Sequence, residues 1–191
     1  MLRVGRQELN YGSGRLVSVR EGPNVRQSFD GMKIRSKAGE WHVDAWAVRP
    51  DLDKLGFFDN VPDHRSLFWS LYATRPWRRG VGYDLYYLGI DRKSATFERG
   101  TATELRHTVG ARLWRPIATQ ELGLDFDYEG VMQFGTFGSD DIRARTFASD
   151  TGYSLTAVPL RPRLSVKADI SSGDNPASRT LGSPSETISA S

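Results

Sequence analysis

The sequence has no cysteine. That excludes a disulfide framework and any thiolate metal site. It also lacks any stretch approaching the roughly 18 consecutive apolar residues of a transmembrane helix. Residues 1–20 hold no apolar core of the secretory kind, so an exported protein would carry its leader elsewhere. An excess of one charge is lacking too. The 26 Lys and Arg against 23 Asp and Glu leave a net +3, too balanced to point to nucleic acid. Apolar residues do not recur at spacings of three and four, so helices are not expected. None of these absences excludes a membrane barrel, whose alternating strands give a much weaker signal.

What the sequence does have is a period of two. The chain is 191 residues long, enough for one sizeable core, with five Trp, seven Tyr, nine Phe and nineteen Gly. In residues 101–114, Thr103, Leu105, His107, Val109, Ala111 and Leu113 fall on one side. Glu104, Arg106, Thr108, Gly110 and Arg112 fall on the other. Residues 121–135 repeat the pattern. Leu122, Leu124, Phe126, Tyr128, Gly130, Met132 and Phe134 oppose Asp125, Asp127, Glu129, Val131 and Gln133. In 140–155, Ile142, Ala144, Thr146 and Ala148 oppose Arg143, Arg145 and Phe147. In 163–170, Leu164, Val166, Ala168 and Ile170 oppose Arg163, Ser165, Lys167 and Asp169. Up to nine strands are expected, separated by turn-like residues. Residues 50–64 read as a loop, and "RKSATFERG" (92–100) as a turn. Residues 1–171 read as the sheet-forming part. Residues 172–191, rich in Ser, Gly and Pro, read as a disordered tail.

Two folds produce such alternation: a soluble antiparallel sandwich and a transmembrane barrel. Three features favour the barrel. The patterns at 101–114 and 121–135 far exceed the five or six residues of an ordinary soluble strand. The polar sides carry grouped charge, with Asp125, Asp127 and Glu129 on one strand and Arg143 and Arg145 on the next. If those strands pair, opposite charges would lie side by side across the ladder, within a wet lumen. Aromatics near segment ends (Trp69, Tyr72, Trp77, Tyr83, Trp114, Tyr153) suit the girdles of a barrel. Against the barrel, His107 falls on the lipid side, and "DLYYLGI" assigns neither face cleanly.

The segments "GRQELNYGSGRL" (5–16), "PNVRQSFDG" (23–31), "DLYYLGIDR" (84–92), "ELRHTVGARL" (104–113), "DFDYEGVMQFG" (125–135) and "DTGYSL" (150–155) carry a resemblance. In this order they resemble the alginate export family of bacterial outer-membrane proteins. The resemblance implies an all-β fold: an antiparallel transmembrane β-barrel of about eighteen strands, within the range of such barrels. About eight or nine of those strands would lie here, making an incomplete barrel. It implies an outer-membrane porin or exporter-like channel for an anionic, alginate-like polysaccharide, or for other small anionic or polar solutes. Its partners would be outer-membrane lipid and, for the full-length protein, periplasmic export machinery. Neither enzyme chemistry nor a cofactor is implied. A barrel of that size needs more than twice this length. The expectation is therefore a truncated or frame-shifted N-terminal half, its tail out of frame.

By face, the pore-lining candidates are Arg106, Arg112, Arg143, Arg145, Arg163 and Lys167. Asp125, Asp127 and Glu129 would orient or balance them. Guanidinium groups suit carboxylate polymers because their forked donors match carboxylate oxygens. Arg6, Arg15 and Arg26 lie in family-like segments and Arg35 just beyond one, with facing undetermined. The glycines of "YGSGRL" lack phosphate-loop spacing. His42, His64 and His107 are too scattered for a metal site. Asp51, Asp53, Asp59 and Asp63 offer a loop cation site, without calcium-loop spacing. The alternative function is a soluble or surface β-sandwich that binds carbohydrate without catalysis. A hydrolase built on the adjacent Asp125 and Asp127 lacks a partner acid.

Overall fold

The computed structural model describes residues 1–19, 26–52, 61–97, 100–117, 123–155 and 162–172. The expected tail from residue 173 onward, Leu122, Asp53 and Asp59 all lie outside the described residues. Ten strands form one antiparallel sheet: β1 (Leu2–Gln7), β2 (Phe29–Ala38), β3 (Trp41–Leu52), β4 (Val61–Pro62), β5 (Ser66–Pro76), β6 (Gly82–Phe97), β7 (Gly100–Arg115), β8 (Leu124–Phe137), β9 (Asp140–Ser154) and β10 (Arg163–Ser171). The order is a meander, β1-β2-β3-β5-β6-β7-β8-β9-β10, with the two-residue β4 paired to the end of β3. β1 and β10 are the edges, so the sheet is open, as in an incomplete barrel.

The long strands follow from the long alternations. β6 and β7 run 16 residues each and β8 runs 14, beyond the roughly 9–11 needed to cross hydrocarbon. The turn expected at 92–100 is much shorter. β6 continues to Phe97 through a register shift between Arg92 and Ala95. Likewise β3 runs to Leu52, and the expected loop at 50–64 holds β4.

Pairing register sorts the side chains into two faces. On the outer face one cross-strand rung reads Met32, Ala47, Trp69, Gly89, His107 and Phe134. The rung one step along reads Ile34, Ala45, Leu71, Tyr87, Val109 and Met132. Many of these apolar side chains are exposed, including Met32, Ile34, Leu71, Val109, Met132 and Phe134. An apolar face without a protein cover is what a lipid-facing wall presents. His107 fits this face because Tyr87 Oη bonds its Nδ1 at 2.7 Å, with Phe134 stacked on it at 5.3 Å.

Three aromatics lie over glycines directly across the ladder: Trp69 over Gly89, Tyr86 over Gly110, and Trp114 over Gly82. A Cβ at Gly110 would sit 2.2 Å from the Tyr86 ring. Glycine there lets the ring lie flat against the neighbouring strand, a packing that holds register.

The inner face is covered by residues 8–19, the chain between β1 and β2. Tyr11 N donates to Val17 O at 3.1 Å, closing a small hairpin. Leu9, Leu16 and Val17 are buried against Trp46, Phe68, Tyr72, Leu88 and Ile90. Tyr11 stacks on Trp46 at 4.4 Å. "DLYYLGI" assigned no clean face for this reason. Leu85 and Tyr87 point outward, while Tyr86, Leu88 and Ile90 form the floor beneath this hairpin.

The hairpin also reports the sheet's curvature. Tyr11 bonds Asp44 on β3, while Arg15 reaches Asp169 on β10 at 3.1 Å. On a flat sheet those strands, six steps apart, would lie about 29 Å apart. Residues 11–15 inside a closed hairpin cannot bridge that span. The sheet therefore curls around them.

The aromatics expected as a girdle divide between the faces. Trp69, Tyr83 and Tyr153 point outward, and Trp77 is exposed at the turn before a 3-10 turn at Arg78–Gly80. Tyr72 and Trp114 instead point inward, where Tyr72 is buried.

Candidate functional site

The inner face carries a connected ladder of ion pairs. At its centre is Arg112 on β7. Its Nε and Nη2 donate to Asp127 Oδ1 and Oδ2 at 2.7 and 2.6 Å, and its Nη1 donates to Asp84 Oδ2 at 3.2 Å. Asp84 also accepts from Tyr72 Oη at 2.9 Å and Trp114 Nε1 at 3.2 Å. Glu129, opposite Arg112 on β8, accepts from Tyr86 Oη and Ser13 Oγ, both at 2.7 Å. Arg15 approaches the same carboxylate at 3.7 Å.

Towards the β6–β7 turn, Glu104 lies between Arg92 at 2.5 Å and Arg106 at 2.7 Å, and Arg106 also reaches Gln133 at 3.2 Å. Towards the opposite end, Arg163 donates to Asp125 at 3.0 Å and Asp150 at 3.3 Å, and Lys167 pairs with Asp150 at 3.1 Å. Arg106, Arg112, Arg163, Lys167, Asp125, Asp127 and Glu129 thus share one face. The ladder is drier than a wet lumen would make it. Glu104, Arg106, Asp125 and Glu129 are each at most 5 % exposed. Buried charges of this kind persist only when paired.

Arg143 and Arg145 are not with them. β8 and β9 do pair, but Arg143 lies opposite Phe134 and Arg145 opposite Met132, on the outer face. The inner residues of β9 are Ile142, Ala144, Thr146, Ala148 and Asp150. The cross-strand charge pairs expected between β8 and β9 therefore do not form. The reason is register. The turn at residues 138–139 pairs Phe137 with Asp140, which puts the alternate set of β9 beside the acidic row.

A second basic feature escaped the sequence reading. β2 places Lys33, Arg35 and Lys37 in one inward row, and Arg3 of β1 lies opposite Lys33. Asp44 on β3 is the nearby carboxylate. It takes Arg35 Nε at 2.9 Å, Lys33 Nζ at 3.4 Å and the Tyr11 hydroxyl. Arg3 and Lys37 are exposed and make no ion pair among the described residues. The available signal was "KIRSK", three cations at steps of two. Burial and the hydrogen bond to Asp44 push the Tyr11 phenol well above its ordinary range, so it stays a donor.

The remaining family-like arginines also find places. Arg6 faces outward, paired with Asp30 at 2.9 Å and Asp51 at 2.8 Å. Arg26 approaches Glu8 at 3.5 Å. Asp63 is used locally, accepting from Ser66 Oγ at 2.6 Å. Among the described residues no three His, Asp or Glu side chains gather to hold a metal. No helix among them is long and apolar enough to cross a membrane, which says nothing against strands doing so.

No curated protein and no solved structure matches the chain. A family model, described as alginate export, matches residues 1–183. An open antiparallel sheet of long strands, apolar outside and charged inside, agrees with it. The chain belongs to the alginate export family, a transport family of the bacterial outer membrane.

Proposed function

We propose that the inner face forms part of the wall of an outer-membrane channel that passes an anionic polysaccharide, or smaller anionic solutes. One observation carries this reading. The central ladder is nearly neutral internally, whereas the row of Arg3, Lys33, Arg35 and Lys37 has, among the described residues, a single neighbouring carboxylate, Asp44. Uncompensated cations on a channel wall raise the local concentration of anions and lower the barrier to their passage. The paired arginines of the ladder hold shape. Those of the β2 row are placed to meet a carboxylate polymer, which guanidinium and ammonium groups neutralise along its length. Outer-membrane lipid is the partner of the opposite face.

The test is conductance in planar bilayers. Where copies of the 191-residue chain close their sheet edges into a pore, it is expected to conduct with anions preferred over cations in a salt gradient. A soluble uronic-acid oligomer is expected to block it more strongly than a neutral oligosaccharide of equal length. Lys33→Gln with Lys37→Gln should move the reversal potential towards zero. Cation preference in the parent chain, or a reversal potential indifferent to these substitutions, overturns the reading. The β-sandwich carbohydrate binder is the second reading. The exposed apolar outer face opposes it, because a soluble sheet covers such a surface.

A further inference from the structure

The outer face carries two cations that the channel reading leaves unused. Arg143 and Arg145 stand at β9 in cross-strand rungs that are otherwise largely apolar. Both are exposed. The guanidinium of Arg145 has no carboxylate partner among the described residues. That of Arg143 has only exposed Asp141, at 3.6 Å. A cation facing the middle of a bilayer is strongly unfavourable, and the cost falls away towards the interface. Their position resolves this. Barrel strands tilt by about 35–45°, so a rung crossing seven strand steps from β1 to β9 shifts roughly 20 Å along the barrel axis. On β9 and β10 the exposed apolar residues lie further from the 138–139 turn: Phe147, Tyr153, Leu164, Val166 and Ile170. Arg143 and Arg145 thus sit at the margin of the apolar band, at headgroup level.

Beside them the outer wall is dented. Ala111 on β7 pairs with Gly130 on β8, and Gly130 with Phe147 on β9. A Cβ at Gly130 would meet nothing within 4 Å. At Gly110, which faces inward, the space is filled by Tyr86, so the opening is on the outside. The result is a groove of about 670 Å³ whose walls include Val109, Met132, Phe147 and Ile170, with Arg145 among its lining. Its exposed surface is mainly apolar.

We propose that this groove is a binding site for an anionic phospholipid, with an acyl chain lying over Gly130 and the phosphate held by Arg145 and Arg143. The two halves of such a lipid match the two halves of the site. The apolar trough suits a hydrocarbon chain, and the cations, two residues apart on one strand face, suit a headgroup whose phosphate is not offset by an ammonium group. The proposal goes beyond the channel reading and depends only on the outer face meeting lipid.

Native mass spectrometry of the 191-residue chain in neutral detergent tests it, with phosphatidylglycerol and phosphatidylcholine as matched probes. The expected result is retention of phosphatidylglycerol in preference to phosphatidylcholine. Each guanidinium removed should cost about fivefold in that preference. Arg143→Gln/Arg145→Gln should abolish it without unfolding the chain, because both side chains are exposed. Gly130→Leu, with its side chain in the groove, should weaken retention of both lipids, and circular dichroism checks that the sheet persists. An unchanged preference in the arginine double variant overturns the proposal. Equal binding of the two lipids by the parent chain overturns it too. So does displacement of the lipid by millimolar inorganic phosphate, which would mark a free-anion site. Failure of the parent chain to retain either lipid overturns the lipid-facing reading as well, which separates the two failures.

Discussion

Arg112 and Asp127 meet in fork geometry, two guanidinium nitrogens on two carboxylate oxygens at 2.7 and 2.6 Å, while the third nitrogen holds Asp84. One arginine thereby joins β6, β7 and β8. Arg112→Met should leave the buried Asp84 without its cation and destabilise the fold by about 3 kcal/mol, the low end for a broken buried pair, because Asp127 is partly exposed. Adding Asp84→Asn should recover part of that loss. Denaturant unfolding in detergent measures both. Loss confined to a few tenths of a kcal/mol would show that the ladder is a solvated ornament of the wall.

The ring of Tyr86 over Gly110 makes a second test. Gly110→Ala puts a methyl group where the ring lies, with no room to share. Tyr86 must swing away, and its bond to Glu129 goes with it. The expected cost is about 1–3 kcal/mol, the range for overpacking a well-filled site. Gly130→Ala, where the methyl group meets open space, should be neutral or stabilise by up to about 1 kcal/mol. Equal effects at the two positions would refute the packing argument.

His107 is tolerated on the outer face through Tyr87. Tyr87→Phe leaves Nδ1 without its partner at 2.7 Å and should destabilise the lipid-inserted protein by about 1–3 kcal/mol. Tyr87→Phe/His107→Phe should be milder than the single change, because both polar groups leave together. A double variant as destabilised as the single one would mean that the ring packing, not the hydrogen bond, matters.

Tyr11 gives a pH prediction. Its pKa is raised in the folded state above the usual value near 10. The stability that it adds is therefore fully present below about pH 10 and is lost as pH rises through the folded value. Amide exchange at Tyr11 and Gly14 should report a hairpin equally closed from neutral pH to about pH 9 and opening only in stronger alkali. Tyr11→Phe should speed exchange at neutral pH. Opening of the hairpin between pH 7 and 9 would contradict this assignment.

Much of the wall was legible in the sequence. Period-two alternation located β7, β8, β9 and β10 closely, because a strand's side chains alternate whatever surrounds them. It also gave the correct faces for β7, β8 and β10, where one side is plainly charged. It failed on β9. There Ile142, Ala144, Thr146 and Ala148 read as the lipid side, yet Phe147 and Tyr153 are the residues exposed on the outer face. Small apolar residues suit the inner face too, under a covering segment. Without the register at residues 137–140 the two choices are equivalent. The β2 row was missed for another reason. Its alternation is cation against Met, Ile and Ser, with only Met32 and Ile34 clearly apolar, so no apolar side stands out.

The amino-acid sequence by itself determined the class of fold, because alternation over ten residues and more leaves few structures but a long antiparallel strand. It also determined the chemistry available to the two faces. Only the tertiary structure decided which face each β9 residue joins, since pairing register is fixed between strands and not within one. It alone decided that residues 8–19 turn inward. That placement comes from Leu9, Tyr11, Leu16 and Val17 finding Trp46, Tyr72 and Leu88. Such contacts join parts of the chain far apart in sequence, and no local pattern records them.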